Sequence, residues 1–368
     1  MTGSVRTTVR NPAMMGAIDE NARLSRWAAL LPRGPHQRAH VHEADAELVV
    51  LEDGNVLAVT VDQVTEEVEI GLYSDLETVG RIAATAALSD LAAVGAAPLG
   101  LLLAVTLPAD SPDEAQSNMA RGVRDVVDRA RTYVLGGDTS EGERAAMACT
   151  AVGLVRASEV MLRVGAKPGD LVYASGLLGL GAAFAAVALL GVPAPRTLPR
   201  EFEVPGTPES TPGASAFGFK PPLRLREGRS LRGVASACID TSDGALAALD
   251  QLARLNGVAI ALDGDPADLL HPAARDVAAR LGVSAVPVLA VHHGEFELVF
   301  TAPARKLEGW LAQAHIAGYS PVRIGRVLEG AGVTVGSHEL DTAAIRNLSA
   351  RAARDVRGYW AELEALCG

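Results

Sequence analysis

Six aspartates stand where apolar runs end or helical patterns begin: Asp45 before AELVVL, Asp62 closing LAVTVD, Asp90 in LSDLAAVGAAP, Asp138 in YVLGGDT, and Asp240 and Asp243 in ACIDTSDG. One aspartate at a strand end is ordinarily a turn former or a helix N-cap. Several in such positions point to a shared task. Magnesium takes oxygen ligands in near-octahedral geometry and is held by a few carboxylates together with substrate phosphates, so converging aspartates suit a metal-triphosphate site. Gly136-Gly137-Asp138-Thr139 adds backbone that can approach a phosphate closely and a hydroxyl beside a carboxylate. The chemistry this predicts is phosphoryl transfer by positioning and charge neutralisation. The usual phosphate loop, GxxxxGK[ST], does not occur; GASAFGFK at Gly213 to Lys220 is a near miss, and GLLGLG from Gly176 lacks the GxGxxG order of dinucleotide folds.

The elements that must position these residues are legible as two mixed units. AELVVLED and NVLAVTVD, separated by Glu52-Asp53-Gly54-Asn55, read as a hairpin. A helix of small residues follows from Thr78 to Val94, then the strand LGLLLAVTLP, a helix opening at Ser111-Pro112-Asp113-Glu114, and the strands TYVLGG and AMACTAVGLV. VGAKPGDLVYASG restarts the pattern, which puts a domain boundary at residue 156. The first domain is 1–156 and the second 157–368, the latter running through the strand and helix of ACIDTSDGALAALD, VAIAL, HPAARDVAARL, ELVFTAP, KLEGWLAQAHIAG and RIGRVLEG. The proline-rich stretch between Val192 and Arg224 reads as a surface loop or lid.

Composition narrows the partners. A chain of 368 residues, 49% hydrophobic, can bury two ordinary cores, and an aromatic share of 4% makes them aliphatic. The net charge of -11 argues against nucleic acid and anionic membranes, which favour basic patches. An acidic protein that binds phosphates needs metal ions to do so. Cys149, Cys238 and Cys367 have no metal-ligand spacing and suit a reducing cytoplasm, with Cys367 read as a free surface thiol. The opening MTGSVRTTVRNPAMMG lacks an apolar core behind its basic residues, so it reads as a mobile arm rather than a secretory signal. Gly176 to Val192 is the most membrane-like run; it falls short of the ~20 residues a span needs and reads as a buried helix.

From His42 to Trp360 the ordered motifs resemble the thiamine-monophosphate kinase family, in the superfamily of aminoimidazole ribonucleotide synthetase and selenophosphate synthetase. The family's ALSDLAAMGA-type helix stands here as ALSDLAAVGAAP, its GGDT as Gly136 to Thr139, its RSGAKPGD as RVGAKPGD from Arg163, and its IDISDGL as IDTSDGAL from Ile239. The resemblance implies a two-domain α/β fold of the aminoimidazole ribonucleotide synthetase type. Its N-terminal domain binds ATP and metal and dimerises through its sheet, while its C-terminal domain closes the site. It also implies magnesium at Asp45, Asp62, Asp90, Asp138, Asp240 and Asp243, with Thr60 a further candidate. ATP contacts fall at Gly136, Gly137, Asp138, Thr139, Arg163 and Ser242, and the catalytic group is Asp240, Asp243 and Arg163. In such kinases the terminal phosphate of ATP passes directly to the phosphate of the acceptor, and Arg163 and the metals neutralise charge.

The acceptor half departs from that pattern. The family's glycine-aspartate-aspartate becomes Glu43-Ala44-Asp45. Its TD…EGVHF becomes TVDQVTEEVEI, with Glu69 in place of a histidine, and its GGEDYELLFT becomes HHGEFELVFT, with Gly294 in place of a glutamate and Glu295 beside it. Glu69, Glu295 and Trp360, the last in RGYWAEL, are the candidate acceptor contacts. Plainer readings attach to other residues. His36, His40 and His42 read as a solvated loop; Lys167-Pro168-Gly169 reads as a turn; Asp62 to Glu69 reads as a strand face solvated apart from Asp62. His292 and His293 are either strand-edge residues or acceptor ligands. Three functions stay in view: the kinase, an ATP-dependent relative with another acceptor, and a non-catalytic ATP-binding module. Clustered carboxylates disfavour the last, because their repulsion is hard to tolerate without a cation.

Overall fold

The computed structural model describes residues 20–195, 200–202, 218–352 and 355–367. The basic opening arm and residues 213–217 of GASAFGFK lie outside them. The Asp53-Gly54 turn forms the predicted hairpin: the Asp53 carboxylate accepts from the Asn55 backbone N–H at 2.9 Å and its side-chain amide at 2.8 Å. The turn joins β1 (Glu47–Val50) to β2 (Asn55–Val64), and β3 (Ala97–Leu107), β4 (Val134–Glu141) and β5 (Ala146–Arg156) complete a five-stranded sheet in the order β1-β2-β5-β3-β4. Along β5 every second residue is buried, so one face is covered and the other is not.

Helices α1 (Glu20–Leu30), α2 (Glu66–Glu69), α3 (Leu76–Ala93) and α4 (Asp113–Ala130) accompany this sheet. The solvated strand expected through Glu69 therefore ends at Val64, and α2 follows. Asp75 caps α3 by accepting from Thr78 N–H at 2.7 Å, which satisfies one of the helix's orphan donors. Apart from Leu76, Glu77 and Asp90, α3 is buried along its whole length. The reason is its position: α3 packs on β2 and β5 of the first sheet and on β7 and β9 of the second. A helix apolar on all sides needs such a double cover.

The second sheet contains β6 (Leu171–Ala174), β7 (Ala237–Asp240), β8 (Ala259–Leu262), β9 (Leu298–Ala302), β10 (Val322–Leu328), β11 (Gly332–Val335) and β12 (His338–Glu339), ordered β12-β11-β8-β10-β6-β9-β7. Its pairs are antiparallel except β8 with β11. Three of its helices bear on the site: α5 (Leu180–Leu190), α6 (Leu225–Ser230) and α7 (Ala245–Asn256). Within the run Gly176 to Val192 the expected helix forms over Leu180–Leu190 as α5 and is buried from Leu180 to Ala186. Among the described residues no helix is long and apolar enough to cross a membrane.

Two expectations need correction. Residues 196–199 and 203–217 of the proline-rich stretch lie outside the described residues, but Phe202 and Phe219 beside them belong to the core: they pack on Phe184 of α5 with ring centroids 5.7 and 5.1 Å away, and Lys220 pairs with Asp125 of α4 at 2.7 Å. Aromatic rings carry more apolar area than any other side chain and are drawn inside even from an irregular segment. Cys367, in turn, is buried on the last helix, Val356–Cys367, and burial pushes its thiol up to about 11.

Candidate active site

Because α3 lies between the sheets, its last turn, the end of β7 and the turn before β1 meet. These three places carry Asp90, Asp240 and Asp45, and one oxygen of each lies within 4.8 Å of the others. Asp45 is held hard. Its Oδ1 accepts from Arg163 Nη2 at 2.8 Å and from the Asp240 backbone N–H at 3.4 Å, while the Arg163 backbone N–H donates to the Glu43 carbonyl at 2.7 Å. The Thr60 hydroxyl donates to Asp90 Oδ2, which ties the middle of β2 to the cluster. Ser242 donates its hydroxyl to Asp240 Oδ1 at 2.9 Å.

The charges are badly compensated. Burial, then the neighbouring Asp62, Asp240 and Asp45, holds the Asp90 carboxyl well above its usual range. Burial and then Asp45 push Asp240 up to about 6. Burial works against the Arg163 charge, yet Asp45 outweighs it and drives the guanidinium further into its charged form. One arginine faces several acids. The Oδ2 atoms of Asp45 and Asp240 are moreover buried with no hydrogen-bond partner among the described residues, a condition that costs free energy unless something else binds them. Hard oxygen donors, buried, unpartnered and convergent, fit a magnesium-like cation.

Of the residues that the sequence singled out, the fold brings together Asp45, Asp90, Asp240, Thr60, Arg163 and Ser242, with Asp62 close enough to bear on Asp90. Arg163 faces Asp45, so in this structure it positions a carboxylate. Asp138 and Asp243 do not join the three-carboxylate group. Gly136 to Thr139 lie within β4, the fully exposed edge strand, hydrogen-bonded in register with Leu102 to Val105 of β3. A Cβ on Gly137 would stand 2.2 Å from the Leu103 carbonyl oxygen, so the glycine that read as a phosphate cradle is already required by strand packing. Asp243 keeps 54% of its side chain exposed and lies 3.6 Å from His292 Nε2.

The candidate acceptor contacts scatter. Glu69 sits on α2, 3.9 Å from Arg144, at a cleft of about 550 Å³ lined also by Gln63, Thr65, Glu66 and Ile70. Glu295 is buried and accepts from the Leu180 N–H at 2.7 Å, where it caps α5; burial and then Glu297 push it up to about 8. Trp360 is 4% exposed and belongs to the core. His292 and His293 precede β9 in a loop and are not strand-edge residues. Three residues escaped the sequence reading. Ser89 influences Asp240, and its only sequence signal is its place before Asp90. Glu67 faces Asp243 and His292. Glu297 is buried and takes Arg224 Nε at 2.8 Å and the Ser175 hydroxyl.

Comparison with known proteins bears on the family and the fold. Residues 43–155 match the family model described as AIR synthase related protein, N-terminal domain. A thiamine-monophosphate kinase of Archaeoglobus fulgidus is 30% identical over 304 residues, covering 83% of this chain and 86% of that one. Among solved structures, tt0281 from Thermus thermophilus superposes with a TM-score of 0.71 at 30% identity, covering 87% of this chain and 97% of its own. AaThiL complexed with AMPPCP and TMP superposes with a TM-score of 0.70 at 23% identity, covering 88% and 95%. The identity to the Archaeoglobus enzyme across most of both chains establishes that this protein belongs to the thiamine-monophosphate kinase family.

Proposed function

We propose that this protein transfers the γ-phosphoryl group of ATP to the phosphate of thiamine phosphate, releasing ADP and thiamine diphosphate. The bond between the γ-phosphorus and its bridging oxygen breaks, and an acceptor phosphate oxygen takes that phosphorus. The observation that carries the reading is the convergence of Asp45, Asp90 and Asp240, with two buried oxygens that lack partners among the described residues. A bound magnesium would supply the positive charge that two anionic reactants need in order to approach. Around it, Arg163 fixes Asp45, Thr60 fixes Asp90, and Ser242 fixes Asp240. The relative solved with AMPPCP and TMP supports the choice of both substrates.

Two assignments complete the reading. We take the two sheets as domains 1–156 and 157–368, joined over α3. We also take the open face of the first sheet as the surface where a second copy packs, because Val61, Tyr133 and Leu135 are 65%, 71% and 56% exposed and every residue of β4 is exposed. A homodimer would cover Gly136, Gly137, Asp138 and Thr139, which one chain alone leaves in solvent. The buried, unbridged thiols suit a cytoplasmic protein. The test is product identity: with ATP, magnesium and thiamine phosphate, ADP and thiamine diphosphate should appear in equal amounts. ADP released only with a different phosphorylated acceptor would replace this acceptor, and no ADP with any would overturn the reading.

A further inference from the structure

The turn that carries Asp243 and the loop before β9 are locked together backbone to backbone. A Cβ on Gly294 would lie 2.3 Å from the Ser242 carbonyl oxygen, and one on Gly244 would lie 2.3 Å from the Val291 carbonyl oxygen. Only glycine permits either approach. The Thr241 hydroxyl accepts from the Glu297 N–H at 3.0 Å, and the Thr241 N–H donates to the Glu297 carbonyl at 2.9 Å. Phe296, buried, takes the left-handed conformation at φ 58° to make the passage, a strained choice for a bulky residue. Tyr359 Oη accepts from the His292 backbone N–H at 3.0 Å. All of this fixes the backbone that carries one half-exposed side chain.

That side chain is His292, 42% exposed, with Nε2 3.6 Å from Asp243 Oδ1. The ring makes no hydrogen bond among the described residues. The carboxylates of Asp243 and Glu67 are the charges that face it. The cation nearest the cluster, Arg163, is spent on Asp45. An acceptor phosphate arriving here meets the carboxylates of Asp243 and Glu67, and the imidazole N–H is the donor beside them. We propose that His292 binds the phosphate of the acceptor, taking over on the second domain a task for which Glu69, an acid on α2, is unsuited. This assignment rests on the phosphotransferase reading above and adds the residue that selects a phosphorylated acceptor over its unphosphorylated form.

The test compares thiamine phosphate with thiamine, titrated calorimetrically into the full-length protein in magnesium and a non-hydrolysable ATP analogue. Wild-type protein should prefer thiamine phosphate, and His292→Gln should weaken it about tenfold while leaving thiamine and the nucleotide analogue unchanged. His292→Asn should behave alike, and an unaltered unfolding midpoint in both variants separates the effect from misfolding. Unchanged affinity for thiamine phosphate, or an equal loss for thiamine, overturns the assignment alone. Wild-type protein that binds neither ligand overturns the functional reading and the assignment with it.

Discussion

The carboxylate cluster and the mouth beside it, formed by α2 and the loop before β9, differ in how their side chains are held. Asp45 is 1% exposed at its side chain and fastened by Arg163, and Asp240 is 3% exposed; Asp243, His292 and Glu69 keep about half of theirs in solvent. In the cluster, backbone from three elements and one buried helix dictate the geometry, so few residue types work. At the mouth only the backbone is dictated. Its side chains are half in solvent, so packing constrains their identity less. The difference separates positions that packing dictates from positions that packing leaves open.

Several perturbations break or sharpen that contrast. The largest effect is expected where the mouth's loop is anchored: Arg224→Met leaves Glu297 buried and uncompensated, at a cost of about 3–5 kcal/mol that denaturant unfolding would report. Asp90→Asn should lower turnover by roughly 10²–10³-fold by removing charge from the cluster, and should raise the melting temperature of metal-free protein by relieving repulsion. A variant less stable than wild type without metal would contradict the repulsion.

A third perturbation uses pH. Glu295, pushed up to about 8 from 4.5, binds more protons folded than unfolded, so its contribution to stability is full below about 4.5 and lost as pH rises to about 8. Glu295→Gln should flatten the melting temperature across that window; an unchanged slope would mean that the carboxyl titrates normally. The smallest effect belongs to Glu69→His, which should lower the KM for thiamine phosphate a few-fold and leave the KM for ATP alone. A change in the ATP value instead would place Glu69 on the nucleotide side.

Much of the cluster was legible because its residues mark ends of elements, and ends are written in residue type. ACIDTSDG announces a strand, a turn and a helix, and the structure puts β7, Asp240 and α7 there. The helix from Thr78 to Val94 was equally plain. What stayed hidden is direction. Nothing in GGDT tells that Gly137 serves the contact with Leu103, nor in GEFELVF that Glu295 points back to cap α5. Hydrophobic periodicity reports one neighbour, while these roles depend on a second element far along the chain. Phe202 and Phe219 were hidden for the opposite reason, since prolines around them suggested a surface segment although two buried rings decide the matter.

The claim at the centre is that the cluster of Asp45, Asp90 and Asp240 binds the metal on which ATP depends. Calorimetric titration of ATP into wild-type protein and Asp240→Asn, each with and without magnesium, addresses it most directly. Binding should require magnesium in the wild type and be lost in the variant. Equal ATP affinity in all four titrations would contradict the account.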